Sequence, residues 1–268
     1  MRLMLALMLL VAAPACAMQQ RTISLPGPEG VTLTAELFLP EGLPRGPAVL
    51  GLHGCAGFRR ADGQPTALYM AWARHFTDAG RAFLLPDSFA SRGEGEQCTQ
   101  RGRGILPGRE RVADTMAAAR WLSAQPFGLG QPVDVVGWSH GGSTVLWAAG
   151  AAQTAPIGRM IAFYPGCNAV NRVGLWRPAQ PLLVLIGDAD DWTPAAPCAQ
   201  LAARDPQRIT YHAYPGAYHG FDAPNTPLRA RSGLAFTANG NGVAHYGTDP
   251  AARADAMARV TNFFNLGR

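Results

Sequence analysis

The segment Gly137-Trp138-Ser139-His140-Gly141-Gly142 sets a serine between glycines placed two residues to either side. An apolar run, Val133 to Val136, precedes it, and Ser143-Thr144-Val145-Leu146-Trp147 opens a helix after it. This is the context of a nucleophile elbow, a tight strand-to-helix turn that presents a serine hydroxyl at its apex. The flanking glycines leave room that a Cβ would fill. A serine hydroxyl is a weak nucleophile. It needs a histidine base within hydrogen-bond reach and a carboxylate to fix that histidine's tautomer. Elbow serines take these partners in the chain order nucleophile, acid, histidine.

Leu182-Leu183-Val184-Leu185-Ile186-Gly187 reads as a buried strand, and Asp188-Ala189-Asp190-Asp191-Trp192-Thr193-Pro194 follows it directly. Asp190 is the expected acid, beyond the strand end and before the next helix. Asp188 is expected to brace the turn, and Asp191 is the second choice for the acid. All three could instead be loop and cap residues of the helix after Pro194. Of six histidines, His219 alone follows the last strand on a glycine-flanked loop, Tyr214-Pro215-Gly216-Ala217-Tyr218-His219-Gly220. His219 is therefore the expected base, with His245 as the alternative. His212 falls within a strand and His75 within a helix. His140 should turn its ring away from Ser139 and offer its backbone N–H as an oxyanion donor. The second donor is expected in Leu52-His53-Gly54-Cys55-Ala56-Gly57, at the Cys55 N–H with Ala56 next. Such donors act on charge that develops in the transition state.

These residues need a scaffold that brings strand ends together. Arg21–Leu25 and Val31–Leu39 alternate with period two around Pro28-Glu29-Gly30 and predict an antiparallel hairpin at a sheet edge. The pattern then changes to apolar strands at Ala48–His53, Arg81–Pro86, Val133–Gly137, Arg159–Tyr164, Leu182–Gly187 and Arg208–Tyr214. Helical segments at Thr66–Ala79, Arg109–Ala124, Gly141–Ala149, Ala195–Arg204 and Pro250–Phe264 separate or follow them. Near-continuous apolar strands alternating with helices predict an α/β fold, a mostly parallel sheet covered on both faces. Ligands of such sheets collect beyond the strand C-termini. Two aperiodic segments, Phe89–Pro107 and Asp222–Asp249, should lie over the site.

The chain opens with Arg2, a short apolar run and Ala15-Cys16-Ala17. This predicts a secretory signal peptide over residues 1–17, cleaved after Ala17, and a single mature domain over residues 18–268. The apolar run is shorter than the roughly 20 residues that span a bilayer, so no membrane span is expected. A lipoprotein acylated at Cys16 is the minor alternative, since Ala13 stands where such sites carry Leu. Export to the periplasm or beyond leaves Cys55, Cys98, Cys167 and Cys198, an even set that suggests disulfides in an oxidising compartment. The residues alone leave every pairing open. All 23 basic residues are Arg, giving a net charge of +5. The arginines are scattered, which argues against a nucleic-acid face. The lack of Lys excludes Schiff-base and Ser-Lys chemistry. No cofactor motif and no metal-ligand spacing is present.

With these residues in place, the chain resembles the dienelactone hydrolase family of α/β-hydrolases. The resemblance runs from His53-Gly54-Cys55 to the helix ending near Phe264. It is carried by Gly137-Trp138-Ser139-His140-Gly141-Gly142, Gly187-Asp188-Ala189-Asp190-Asp191-Trp192-Thr193-Pro194, Tyr218-His219-Gly220-Phe221-Asp222 and Pro86-Asp87-Ser88-Phe89-Ala90-Ser91-Arg92-Gly93. It implies the α/β-hydrolase fold, Asp190 and His219 as acid and base, and Arg92 as a contact for a substrate carboxylate. The family's strand order implies the disulfides Cys55–Cys98 and Cys167–Cys198. Two departures count against dienelactone itself as substrate. The enzyme that names the family uses a cysteine nucleophile held by a glutamate, whereas Ser139 stands at this elbow and the His53-Gly54-Cys55 loop offers no glutamate. That enzyme is also cytoplasmic.

The expectation is an exported serine esterase, monomeric or a small homo-oligomer, that cleaves a small-molecule ester or lactone through an acyl-enzyme on Ser139 without a cofactor. A polyester or cutin-type hydrolase is the second reading, favoured by an open cleft with no loops above it. A non-catalytic envelope binding protein that keeps the fold is the third.

Overall fold

A computed structural model describes residues 18–151 and 154–267. The leader expected over residues 1–17, with Cys16, lies outside the described residues. The chain forms strands β1 (Gln19–Pro26), β2 (Thr32–Leu39), β3 (Val49–Leu52), β4 (Phe83–Pro86), β5 (Val133–Trp138), β6 (Ile157–Phe163), β7 (Leu182–Gly187), β8 (Ile209–Tyr214), β9 (Arg229–Arg231) and β10 (Ala244–Tyr246). Its helices are α1 (Ala67–Asp78), α2 (Glu110–Ser123), α3 (His140–Ala151), α4 (Asn168–Asn171), α5 (Ala195–Ala202) and α6 (Pro250–Phe263).

Eight strands make one sheet in the order β1-β2-β4-β3-β5-β6-β7-β8. The pairs β1–β2 and β2–β4 are antiparallel, and every other pair is parallel. The reason lies in the side chains. Val-Leu-Gly-Leu of β3, Val-Asp-Val-Val-Gly-Trp of β5 and Leu-Leu-Val-Leu-Ile-Gly of β7 are buried throughout, as strands covered on both faces must be. By contrast, β1 at the edge is mostly exposed and polar, which suits an unpaired edge. Helices cover both faces, with α2 against α3 and α1 beside α6, where Phe76 meets Phe264. The strand–helix alternation predicts this mostly parallel sheet covered on both faces, and the family resemblance implies its α/β-hydrolase form.

The core on the α1 side is aromatic. Trp138 stacks on Phe163 with ring centroids 5.8 Å apart, and Trp72 lies 5.3 Å from Phe163. Trp138 ends β5 and Phe163 ends β6, so this cluster stiffens the two strand ends that flank the elbow. The antiparallel pair β9–β10 was not expected from sequence, where Asp222–Asp249 reads as aperiodic. Three-residue strands carry too little alternation to be seen.

Candidate active site

Ser139 sits between β5 and α3 with φ 55°, a left-handed conformation that costs a non-glycine residue energy. The surroundings hold it there. The Ser139 N–H donates to the Phe163 carbonyl at 2.9 Å, and the Ser139 carbonyl accepts from Ser143 N–H at 2.8 Å. The glycines are required by close approach: a Cβ on Gly137 would lie 2.3 Å from the Gly141 carbonyl oxygen, and one on Gly141 only 1.9 Å from that of Leu52. Strand β3, elbow and α3 are thus packed backbone to backbone.

His219 follows β8 and Asp190 follows β7, so the parallel sheet delivers both to the same end as Ser139. His219 Nε2 lies 2.9 Å from Ser139 Oγ, and His219 Nδ1 lies 2.8 Å from Asp190 Oδ2. Both His219 and Asp190 are buried. The carboxylate is fixed in turn, because Asp190 Oδ1 accepts the N–H groups of Trp192 and Thr193 at 2.9 and 2.8 Å. Thr193 had no assigned role in the sequence reading. Its hydroxyl donates to the Tyr164 carbonyl at 3.0 Å and lies 3.1 Å from both His219 Nδ1 and Asp190 Oδ2. The loop of the histidine is anchored by the N–H of Gly247, which donates to the His219 carbonyl at 3.1 Å.

The second choices for acid and base pair with each other instead. Asp191 Oδ2 meets His245 Nδ1 at 2.7 Å, and Asp191 Oδ1 accepts the His245 N–H at 2.8 Å. This pins the segment containing β10 to the loop after β7. Asp188 accepts the Gly216 N–H at 2.6 Å, bracing the turn as expected. His75 and His212 lie in α1 and β8, and neither borders the cavity beside Ser139.

The loop after β3 approaches Ser139 closely. A Cβ on Gly54 would stand 3.6 Å from the Ser139 Cβ, and the Gly54 N–H is tied to the Tyr69 hydroxyl at 2.9 Å. Cys55 and His140 both border the cavity beside Ser139. The Cys55 carbonyl accepts the Gln97 N–H at 2.7 Å, and Cys55 is disulfide-bonded to Cys98. A second disulfide joins Cys167 to Cys198. Each bridge links segments that follow neighbouring strands, β3 with β4 and β6 with β7.

Beneath this loop lies a buried cation that no sequence signal marked. Arg111 of α2 is fully enclosed, and its Nη1 donates to the His53 carbonyl and to His140 Nδ1, both at 2.8 Å. The ring of His140 therefore accepts at Nδ1 from the buried Arg111. Burial lowers the Arg111 pKa to about 10. Burial, and then the Arg111 charge, hold both His53 and His140 well below the ordinary histidine pKa, so both rings are neutral. His53 donates from Nδ1 to the Gly54 carbonyl at 2.8 Å and accepts the Ser88 N–H at Nε2.

Asp222, three residues after His219, is a second buried polar group missed from sequence. Its Oδ2 accepts the indole N–H groups of Trp72 and Trp138 at 2.8 and 2.9 Å, and its Oδ1 accepts the Tyr164 hydroxyl at 2.7 Å. Burial raises its pKa despite these donors. The carboxylate ties α1, the end of β5 and the end of β6 to the His219 loop.

Arg92 is not brought to the cavity. Its guanidinium makes a two-pronged pair with Asp114 at 2.6 and 2.9 Å and donates to the Ser88 carbonyl at 3.0 Å. Arg92 thus braces the segment after β4 against α2 and does not border the cavity beside Ser139, where the resemblance implies a carboxylate contact. Other arginines border the cavity: Arg101, Arg103, Arg109 and Arg172. The aperiodic segments do lie over the site as expected, the first through Arg101 to Pro107 and the second through Ala235 to Gly240.

Comparison with known proteins agrees with this architecture. The model of the dienelactone hydrolase family matches residues 33–266. A dienelactone hydrolase-like promiscuous phosphotriesterase from metagenomic libraries superposes with a TM-score of 0.68 at 21% identity, covering 93% of this chain and 98% of its own. A putative dienelactone hydrolase from Klebsiella pneumoniae subsp. pneumoniae gives 0.66 at 14% identity, covering 93% and 99%. The dienelactone hydrolase from Anabaena variabilis gives 0.63 at 18% identity, covering 92% and 97%. A search of curated proteins finds no match. At these identities the solved structures speak for the fold alone, whereas the family model covers most of the chain. The chain belongs to the dienelactone hydrolase family.

Proposed function

We propose that this protein is an exported serine hydrolase that cleaves carboxylic esters or lactones through an acyl-enzyme on Ser139. The observation that carries the reading is the unbroken hydrogen-bonded chain Ser139–His219–Asp190, at 2.9 and 2.8 Å. His219 Nε2 takes the Ser139 proton as Oγ attacks the ester carbonyl. Asp190 holds the Nδ1–H tautomer and stabilises the imidazolium that forms. The Cys55 and His140 N–H groups receive the developing oxyanion, where each such donor contributes about 3 kcal/mol. His219 then protonates the leaving alcohol, and a water activated by the same nitrogen releases the acid.

Two disulfides and the leader-like residues 1–17 support an oxidising, exported setting. Among the described residues no helix is long and apolar enough to cross a membrane. Walls supplied by Arg101–Pro107 and Ala235–Gly240 favour a small-molecule ester over a polymer surface, which would need an open cleft.

The test is hydrolysis of 4-nitrophenyl acetate by the wild type beside Ser139→Ala, with fluorophosphonate labelling. The variant should lose about 10⁴-fold or more in kcat and should not label. Equal turnover by both proteins would overturn the reading.

A further inference from the structure

Ser139 opens onto two cavities. The larger, of about 1050 Å³, extends past His140 and Ser143 toward Arg101 and Arg103. The smaller, of about 330 Å³, extends toward Tyr69, Tyr164 and Tyr246. Ser139 and Cys55 border both. An ester carbonyl seated on Ser139 with its oxygen toward the Cys55 N–H therefore directs one substituent into each cavity.

Reaction chemistry decides which substituent goes where. When the tetrahedral intermediate collapses, the bond from carbon to the alkoxy oxygen breaks, and that oxygen takes its proton from His219 Nε2. The alcohol portion must therefore lie on the His219 side. His219 borders the smaller cavity and not the larger one. We propose that the smaller cavity takes the alcohol and the larger cavity the acyl group, so that the preferred substrates join a compact alcohol to a bulky acyl group bearing a negative charge. This rests on the serine-hydrolase reading above and deepens it.

The charge preference follows from the wall of the larger cavity. It carries four arginines and no Asp or Glu. Arg109 is held by Glu110, but Arg101 and Arg172 form no ion pair among the described residues. Arg103 donates through Nε to the Gln97 carbonyl, and its Cζ lies over the Phe236 ring, 4.5 Å from the centroid. The Glu96 carboxylate, which accepts the N–H groups of Cys98 and Thr99, offsets part of the Arg103 charge. In the smaller cavity the one arginine, Arg231, lies over the Tyr246 ring at 4.4 Å. That cavity is near the lower limit of about 300 Å³ for ligand pockets.

Two matched ester pairs test the assignment. Methyl 6-carboxy-2-naphthoate against methyl 2-naphthoate places the added carboxylate on the acyl side. The pair 6-carboxy-2-naphthyl acetate against 2-naphthyl acetate places it on the alcohol side. The expected result is a gain of about tenfold in kcat/KM for the first pair, about 1.4 kcal/mol, and none for the second. The double variant Arg101→Gln/Arg172→Gln should erase that gain. A gain confined to the alcohol side, equal gains on both sides, or no gain on either would overturn the assignment. Acylation of Ser139 by 4-nitrophenyl acetate is read separately, so failure of the hydrolase reading is distinguishable from failure of this one.

Discussion

Replacing Asp222 by Ala should cost several kcal/mol of stability, and the structure lets the cost be worked out. Three buried donors, the indoles of Trp72 and Trp138 and the hydroxyl of Tyr164, have this carboxylate as their acceptor. Each donor left without a partner costs about 1–3 kcal/mol, so the loss is about 3–9 kcal/mol. Burial already disfavours the Asp222 carboxylate, and relief of that penalty returns part of it. A net loss of about 4 kcal/mol is expected. Asp222→Asn keeps an oxygen for both indoles and turns its amide toward the Tyr164 oxygen. It should lose only the charge reinforcement of these bonds, about 1–2 kcal/mol. Urea denaturation followed by tryptophan fluorescence measures both, since Trp72 and Trp138 are themselves the reporters. Trp138 adjoins Ser139 and the Tyr164 ring lies 4.5 Å from that of His219, so kcat should fall in the Ala variant as well. An Ala variant within about 1 kcal/mol of wild type, or an Asn variant as damaged as Ala, would refute the reasoning.

Arg111→Met removes the shared donor of the His53 carbonyl and His140 Nδ1; kcat/KM should fall about 10- to 100-fold as the oxyanion donors lose alignment. Affinity for a boronic acid mimic of the tetrahedral intermediate should fall in parallel, and unchanged affinity would rule the alignment role out. Removing either disulfide, whose partners lie 43 and 31 positions apart in the chain, should cost about 4 kcal/mol by loop entropy. Only Cys55→Ser/Cys98→Ser should also depress kcat at temperatures where the protein stays folded, because both of its cysteines border the cavity that holds Ser139 and His219; equal kcat losses for both pairs would contradict this. Burial raises the Asp134 pKa from 3.8 to about 6. The folded state thus binds its proton more tightly, and the stability this contributes is complete below the unfolded pKa and lost as pH rises to about 6. Asp134→Asn, which can still accept the Arg159 N–H, should gain on wild type by up to about 3 kcal/mol between pH 4 and 7; thermal melts showing a constant difference across that range would sink the idea.

The parts of the site carried by local pattern were legible in the sequence. Ser139, Asp190 and His219 each follow an apolar strand, and a parallel sheet must gather such residues at one end. The structure brings these three together, with the runners-up Asp191 and His245 paired to each other. The disulfide pairings were legible only through the family's strand order, since spacing leaves them open. Arg111, Asp222, Tyr69 and Thr193 were not legible in the roles they take. Their importance lies in contacts across the fold, such as Asp222 with Trp72 some 150 residues away, and no periodicity records those. Arg92 shows the converse case. A loop arginine near a site is ambiguous until its partner is seen, and Asp114 lies 22 residues further along on another element.

The wall of the larger cavity is cationic through guanidinium groups alone. Guanidinium does not lose its proton in the pH range where hydrolases work, so the field inside that cavity is not set by acidity. Its reach is set by dissolved salt instead, which screens exposed charges over about 10 Å at 0.1 M and about 3 Å at 1 M. Arg101 and Arg172 are exposed and would feel that screening fully. Selectivity at this site would then report the salinity of the surrounding medium, with charged substrates favoured in dilute water and the advantage fading in brine.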